Sequence, residues 1–135
     1  MAEDNTTVQE TELDKKFAEG ADEWMGQRMD NGSEGCCEAA TKIGSHYSKF
    51  LAHELDNGVV YVPTLIADAG DLYMPLDESN LEKGDCIIYD SEEHVVLFDG
   101  IGGYVGNSTS LVKVIHGGDF HEMGGLSPTH MTIIS

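Results

Sequence analysis

The spacing of apolar residues changes near the middle of this chain. In the first half, apolar residues recur at three- and four-residue intervals, as in Leu13, Phe17 and Ala21, which is the period of an amphipathic helix. In the second half, short apolar runs such as residues 94–98 alternate with turns rich in Gly and Asp, a pattern typical of antiparallel strands. Helices followed by strands predict an α+β fold, in which N-terminal helices pack on a small antiparallel β-sheet.

The same pattern predicts where the individual elements lie. A first helix is expected from Leu13 to about Met29, where an Asp-Asn-Gly-Ser loop follows. A second helix is expected from Cys36 to the low fifties, and a short third one over residues 64–69, after Pro63 and before a glycine. Strands are expected over residues 85–89, 94–98, 104–107, 111–115 and 131–134.

The length of 135 residues predicts one domain, over residues 13–135. Residues 1–12 are polar and acidic without periodicity, so we expect a disordered tail there. The start of the chain has no basic segment followed by an apolar one, and no stretch approaches the roughly 20 apolar residues of a spanning helix. The chain as written is therefore expected to be cytoplasmic, or else to be released or delivered by a phage or a secretion machine.

Acidic residues dominate the composition, with 25 Asp and Glu against 7 Lys and Arg and a net charge of −18. This balance argues against nucleic acid and anionic membranes as partners, because both bind through Lys and Arg. We interpret the charge as a solvated surface, with attraction of cationic ligands as the alternative. The three cysteines form neither a disulfide framework nor paired zinc knuckles, so we predict no metal and no other cofactor.

Cys36 is the candidate nucleophile. It stands at a turn-to-helix junction, where the helix dipole and free backbone N–H groups favour a thiolate and can form an oxyanion hole. Gly35 before it permits close approach of the backbone to a substrate. Cys37 competes for the role, but the residues three, four and seven positions after Cys36 are all apolar, which places Cys36 where the helix meets the sheet. The alternative interpretation is a small buried apolar residue, as we expect for Cys86.

Two further residues complete a candidate catalytic set. His94 opens a strongly apolar strand and would act as general base and acid, while Asn107 after a further strand would orient its ring. The alternatives are a strand-end histidine and a simple Gly-Asn-Ser turn. His116 is the rival for the third position. The other histidines lie on a predicted helix surface or in loops: His46, His53, His121 and His130.

These motifs together resemble the NlpC-type cell-wall cysteine peptidase family. The resemblance covers about residues 20–115, and its most specific part is a Gly-Asp strand at residues 84–89 followed by the His-Val strand that begins at His94. It implies a papain-like α+β fold. By position it implies Cys36 as nucleophile, His94 as base and Asn107 as the third polar residue, where the family often has His. Gly35 stands where the family usually has Asp, and Cys37-Glu38 where it has Ser-Gly.

The resemblance also implies an activity and a substrate. Members hydrolyse an amide in peptidoglycan stem peptides, typically between γ-D-glutamate and a diamino acid, through a thioester acyl-enzyme and without a cofactor. The expected partner is thus a stem peptide or muropeptide. Two alternatives stay open. One is an inactive or structural member, such as a binding module of a phage tail or secretion apparatus. The other is an amidase or acyltransferase with a non-wall substrate.

Overall fold

Four helices come first along the chain and a six-stranded sheet follows them in the computed structural model, which describes residues 11–134. The helices are α1 (Glu12–Trp24), α2 (Cys36–Gly44), α3 (Lys49–Asp56) and α4 (Val62–Ala69), with 3-10 turns at Gly32–Glu34 and Gly70–Leu72. The strands are β1 (Tyr73–Pro75), β2 (Cys86–Tyr89), β3 (His94–Phe98), β4 (Tyr104–Ser108), β5 (Lys113–Gly117) and β6 (Pro128–Thr132). This is the predicted α+β class.

All strand pairs of the sheet are antiparallel, in the order β1-β6-β2-β3-β4-β5. Helix α2 packs against α1, α3, β3 and β4, and the main apolar core lies between the helices and one face of the sheet. A second, smaller apolar cluster covers the opposite face. In β3, Val95 and Leu97 belong to the first cluster, whereas Val96 and Phe98 belong to the second. Burial on both faces explains why this strand is apolar at consecutive positions.

Helix α1 begins one residue earlier and ends five residues sooner than predicted. Thr11 accepts a hydrogen bond from the N–H of Asp14 at 3.0 Å, and Asp14 accepts one in return, which forms a capping box. The helix ends at Trp24 because the next residues pair with the sheet: the Gly26 N–H donates to the Val114 carbonyl at 2.9 Å. Gly26 has a φ of +78°, a conformation that favours glycine. Residues 1–10 of the predicted tail lie outside the described residues.

The predicted second helix is two helices, which corrects the expectation of one helix into the low fifties. Helix α2 ends at Gly44. Ser48 adopts an extended conformation and its hydroxyl accepts a hydrogen bond from the Leu51 N–H at 3.1 Å, so it caps a separate helix, α3. The apolar spacing continues across this break, and for this reason the sequence pattern conceals it. Helix α4 agrees with prediction to within two residues, with Pro63 in its first turn.

The five predicted strands are present in the expected order along the chain, and the described residues add a sixth. Strands β2, β3 and β4 lie within one residue of the expected ranges. Strand β5 begins two residues later than expected, because Val112 has a φ of +54° and belongs to the turn. Strand β6 begins three residues earlier, at Pro128, and the short edge strand β1 was not predicted. None of the described helices has the length and apolar character needed to cross a membrane.

Glu54 is a fully buried acid in α3, beside the main core. Neither carboxyl oxygen accepts a hydrogen bond from the residues that the structure describes, and His53 Nδ1 lies 3.7 Å from Oε2. Burial, together with the neighbouring carboxyl of Asp68, raises the pKa of Glu54 to about 7. The folded protein therefore keeps Glu54 protonated at mildly acidic pH, where the unfolded chain releases this proton.

This pKa predicts a pH-dependent effect of Glu54→Gln on stability. The contribution of protonated Glu54 is present below its unfolded pKa and is lost as the pH rises through its folded pKa. The free energy of unfolding of the variant, relative to wild type, should therefore rise by about 2 to 3 kcal/mol between about pH 5 and about pH 8. Urea denaturation at both pH values measures this difference. Asp56→Asn, an exposed change in the same helix, is the control, and its stability relative to wild type should not change with pH. If the stability difference of Glu54→Gln is equally independent of pH, the prediction is contradicted.

Candidate active site

Cys36 is the first residue of α2, and it lines a cavity of about 310 Å³ together with His94. The walls come from the turn before α2, the segment that leads into α4, and the turn before β3. Cys36 is 7% exposed and His94 is 3% exposed, so both line the cavity with little of their surface open to solvent. The structure thus brings two of the three predicted catalytic residues to one cavity.

The turn before Cys36 is fixed by Glu38, a buried residue of the first turn of α2. Its carboxylate accepts hydrogen bonds from the N–H of Asp30 at 3.1 Å, from the N–H of Asn31 at 3.0 Å and from the Asn31 side chain at 2.9 Å. Lys42 Nζ lies 2.7 Å from the same carboxylate. Burial raises the pKa of Glu38, but these donors outweigh it and hold the pKa below its ordinary value.

Glu38 is the functional candidate that sequence reasoning missed. It is the third residue of α2, where an acidic side chain reaches back to backbone donors that precede a helix, as in a capping box. The sequence does contain a signal for this role, because Glu38 stands two residues after Cys36, in the first turn of a predicted helix. Glu38 acts on the candidate nucleophile indirectly, because it holds the loop from which the helix begins.

Asn107, in β4, is bonded to this same turn rather than to His94. Its Nδ2 donates to the carbonyl of Gly32 at 3.2 Å, and its Oδ1 is buried without a partner among the described residues. Asn107 and His94 both line a second cavity of about 480 Å³, which adjoins the first at His94. Asn107 therefore lies near the predicted base, but in this structure it positions the turn before Cys36.

His94 is the first residue of β3 and is paired across the ladder with Tyr89. Their ring centroids lie 5.8 Å apart. No residue within 11–134 forms a hydrogen bond with its ring, and burial alone lowers the pKa of His94 to about 4. The imidazole is consequently neutral at pH 7, the form that can accept a proton from a thiol.

The thiol of Cys36 is also neutral in the unliganded site. Burial raises its pKa, whereas the backbone N–H groups of Val95, Cys37 and Cys36 act in the opposite direction, and the charge of Glu34 raises the pKa further. The N–H groups at the helix start do lower the pKa of the thiol, as expected. The expectation of a thiolate is nevertheless wrong, because burial raises this pKa by more than the N–H groups lower it. Cys36 and His94 form no hydrogen bond here. Such bonds are often long without substrate and shorten when it binds.

The N–H of Val95 reaches Cys36 because β3 and β4 separate at this end of the sheet. Within the described residues, the β3–β4 ladder consists of the pairs Leu97–Val105 and Phe98–Tyr104 only. Backbone N–H groups alternate in direction along a strand, and that of Phe98 points to the Asp85 carbonyl beside β2. The N–H of Val95 therefore points toward β4, where no strand pairs with it, and is available to the thiol.

The remaining cysteines have no access to the cavity. Cys37 is fully buried with its Sγ 3.9 Å from the Val59 carbonyl, and burial, with the charges of Cys36 and Glu54, raises its pKa to about 12. Cys86 is fully buried in β2, and burial raises its pKa as well. Of the three cysteines, Cys36 alone lines the cavity shared with His94.

Gly35 has a structural explanation that differs from the predicted one. A Cβ atom at this position would overlap the side chain of Met29, which is itself buried. The absence of a side chain therefore lets the turn before α2 pack on Met29. This packing alone accounts for a glycine at position 35, and approach of a substrate to its backbone stays a prediction.

His116, the rival for the third position, lies at the other end of the sheet. Its Nε2 is 2.7 Å from Oδ2 of Asp99, which directly follows β3, whereas His94 begins that strand. His46 pairs with Glu23 at 2.7 Å on the helical side. Within residues 11–134, no group of three or more His, Cys, Asp or Glu side chains is arranged to hold a metal ion.

No protein-family model matches this sequence, and no curated protein matches it significantly.

Replacing Glu38 tests whether it holds the turn before Cys36. Glu38→Ala leaves the backbone donors of Asp30 and Asn31 unpaired, and we expect a loss of about 3 kcal/mol in the free energy of unfolding. Glu38→Gln, which keeps one acceptor oxygen, should lose about half of that. Hydrogen exchange over residues 30–35 should accelerate in Glu38→Ala. A loss no larger than that of the exposed control Glu19→Ala would contradict this role.

Proposed function

We propose that this protein is a cysteine hydrolase of the NlpC type, which cleaves an amide bond in peptidoglycan stem peptides of the γ-D-glutamyl–diamino acid kind. The observation that carries the chemistry is one cavity that exposes a single cysteine, at the start of a helix, beside a neutral histidine. The substrate class rests on the sequence resemblance: the Gly-Asp strand, the His-Val strand and the Cys-bearing helix occur in that order.

The reaction would begin with proton transfer from the Cys36 thiol to a ring nitrogen of His94. The thiolate attacks the carbonyl carbon of the scissile amide, and the charge that develops on its oxygen is met by N–H groups in the first turn of α2, which have no acceptor four residues earlier. The C–N bond then breaks, and His94 protonates the leaving amine. Water, deprotonated by His94, attacks the thioester, which releases the acid and restores the thiol.

Asn107 would contribute to this reaction in two ways. Its side-chain bond to the Gly32 carbonyl keeps the turn before Cys36 against β4. Its buried Oδ1 has no partner among the described residues, and Asn107 and His94 line one cavity. In the proposed reaction this oxygen would accept the ring N–H that appears when His94 becomes protonated. Asn107 is therefore assigned as a positioning residue rather than as a reacting group.

One observation favours a second candidate, an inactive binding module with the same fold. Cys36 and His94 are both neutral and not hydrogen-bonded to each other, and Glu34 raises the thiol pKa further. An acyltransferase or an amidase on a non-wall substrate would use the same two groups, and the residues beside Cys36 depart from those usual in the family.

Cysteine variants test the proposal. Cys36→Ala should abolish cleavage of purified muropeptides, with a loss of at least about 10⁴-fold, because the nucleophile is removed. Cys37→Ala and Cys86→Ala should retain activity in proportion to their folded fraction, since neither side chain reaches the cavity. Mass spectrometry of the digests identifies the bond.

The other outcomes of this experiment separate the candidates. Loss of activity in Cys37→Ala but not in Cys36→Ala would refute the assignment of the nucleophile. A reactive Cys36 without any muropeptide cleavage would refute the wall substrate, and products containing an added amine would identify an acyltransferase. No cleavage and an unreactive Cys36 would favour the binding module.

The pH profile tests the role of His94. A general base must be neutral, and the pKa of His94 is lowered to about 4 from its ordinary value of 6.5. We therefore expect kcat/KM to fall on the acid side with a midpoint near 4, because activity is lost only as His94 becomes protonated. An acid limb centred near 6.5 would contradict a buried, desolvated His94 in the free enzyme.

A further inference from the structure

The imidazole of His94 borders open space on two sides. His94 lines the cavity that contains Cys36, and it also lines the second cavity, to which Cys36 does not contribute. No residue within 11–134 forms a hydrogen bond with the ring, and the side chain of Asn107 is bonded to the Gly32 carbonyl instead. The orientation of the ring toward Cys36 must therefore come from packing.

Tyr89 supplies that packing. It lies directly opposite His94 in the antiparallel β2–β3 ladder, so both side chains leave the same face of the sheet. The two rings have centroids 5.8 Å apart and planes inclined by 54°, a spacing at which aromatic rings are in contact. Tyr89 is itself fully buried, so the imidazole rests against a ring that is closely packed on its other sides.

The far end of the Tyr89 side chain is fixed by a hydrogen bond. Its hydroxyl donates to the carbonyl of Phe120 at 2.6 Å, and burial raises the pKa of Tyr89, which keeps the hydroxyl a donor. Phe120 is held in turn, because its N–H donates to the Gly102 carbonyl at 3.1 Å and its ring stands edge-on to Phe98. Phenylalanine would fill the same space as Tyr89 but would lack this anchor.

A β-bulge lies at the same position in the sheet. The register between β2 and β6 shifts between Ile88 and Tyr89, so that Thr129 is an extra residue on β6. Bulges bend the strands locally and re-aim a side chain, and they are frequent beside functional sites. In this sheet the bulge falls on the residue of β2 that faces His94.

We propose that Tyr89 is the positioning residue for His94: its anchored ring holds the imidazole in the orientation that accepts the proton of Cys36, and it keeps water from that side of the imidazole. The inference rests on the proposed function for the role of His94 as a base, but the contact between the two rings does not depend on turnover. Tyr89 touches no reacting atom and is therefore not a catalytic residue.

The contact has two consequences for His94. An apolar ring in place of water disfavours the imidazolium, which agrees with the lowered pKa of His94. A fixed imidazole also needs no reorientation before proton transfer, and a misplacement of about 1 Å can lower a rate about 100-fold. Loss of the Tyr89 ring should therefore change the titration of His94 and kcat together, which loss of an ordinary core residue should not do.

The first test follows the titration of His94 and needs no turnover. NMR signals of the imidazole rings are recorded against pH in the full-length protein, and His94→Gln identifies the signal of His94. The wild-type midpoint is expected near 4. Tyr89→Leu admits water beside the ring and should raise this midpoint by at least about one pH unit, whereas Tyr89→Phe, which keeps the ring, should raise it less.

Phe98→Leu is the matched control for this titration. It removes an aromatic ring from the same apolar cluster, at the opposite end of β3, and should leave the midpoint of His94 unchanged. An unchanged midpoint in Tyr89→Leu, or an equal rise in Phe98→Leu, would overturn the proposal. If Tyr89→Leu does not fold, Tyr89→Phe decides the question through the kinetic test.

The second test measures muropeptide cleavage. Tyr89→Phe should lower kcat about 5-fold and leave KM within about 2-fold of wild type, because it releases the ring without changing the cavity that contains Cys36. In Tyr89→Leu, kcat should fall at least about 50-fold, so that phenylalanine restores part of the loss.

The control and the alternative outcomes complete this test. Phe98→Leu should retain the wild-type kcat per folded molecule. A wild-type kcat in Tyr89→Phe, or an equal fall in Phe98→Leu, would show that Tyr89 only fills the core. If the wild-type protein cleaves no muropeptide, the proposed function fails, and the titration of His94 still decides whether Tyr89 holds its ring.

Discussion

The buried carboxylate of Glu38 is the contact on which the candidate site depends. Helix α2 packs against two other helices and two strands, so its position is set by the core, but no residue of the turn Gly32–Glu34 that leads into it is buried. The charge-assisted hydrogen bonds of Glu38 to Asp30 and Asn31 tie that loop to the helix. Asn107 adds a bond from β4 to Gly32. Together they fix the turn from which Cys36 emerges, although neither Glu38 nor Asn107 bonds the thiol.

Desolvation determines the protonation state of this site. The free N–H groups around Cys36 favour a thiolate, but removal of the sulfur from water has a larger effect in the opposite direction, and burial likewise keeps His94 neutral. A neutral thiol beside a neutral imidazole is less reactive toward general electrophiles than a preformed ion pair. The separation of β3 from β4 leaves one N–H directed at the sulfur, so part of the stabilisation that a thiolate requires is already in place before substrate binds.

The sequence predicts those features that local chemistry decides. Strands β2, β3 and β4 have apolar runs bounded by turns, and the starts of α2 and β3 fall at Cys36 and His94 as expected. The errors have two causes. The end of α1 depends on pairing of Gly26 with Val114, far along the chain. The break between α2 and α3 is local, at the Ser48 cap, but it lies within an apolar pattern that continues across it. Glu38 escaped notice because its partners precede the helix in a loop whose path the sequence does not specify.

The acidity of the chain has opposite consequences at the surface and at the cavity. Elsewhere on the surface, negative side chains are solvated and screened, so their effect on the fold is small. Glu34 lines the cavity and acts on a thiol that is removed from water, so its charge works against formation of a thiolate there. Its effect on the pKa of Cys36 is smaller than that of burial or of the backbone N–H groups. The pKa of this thiol therefore follows mainly from how far the fold removes the sulfur from water, and a surface charge becomes effective only where it borders such a buried group.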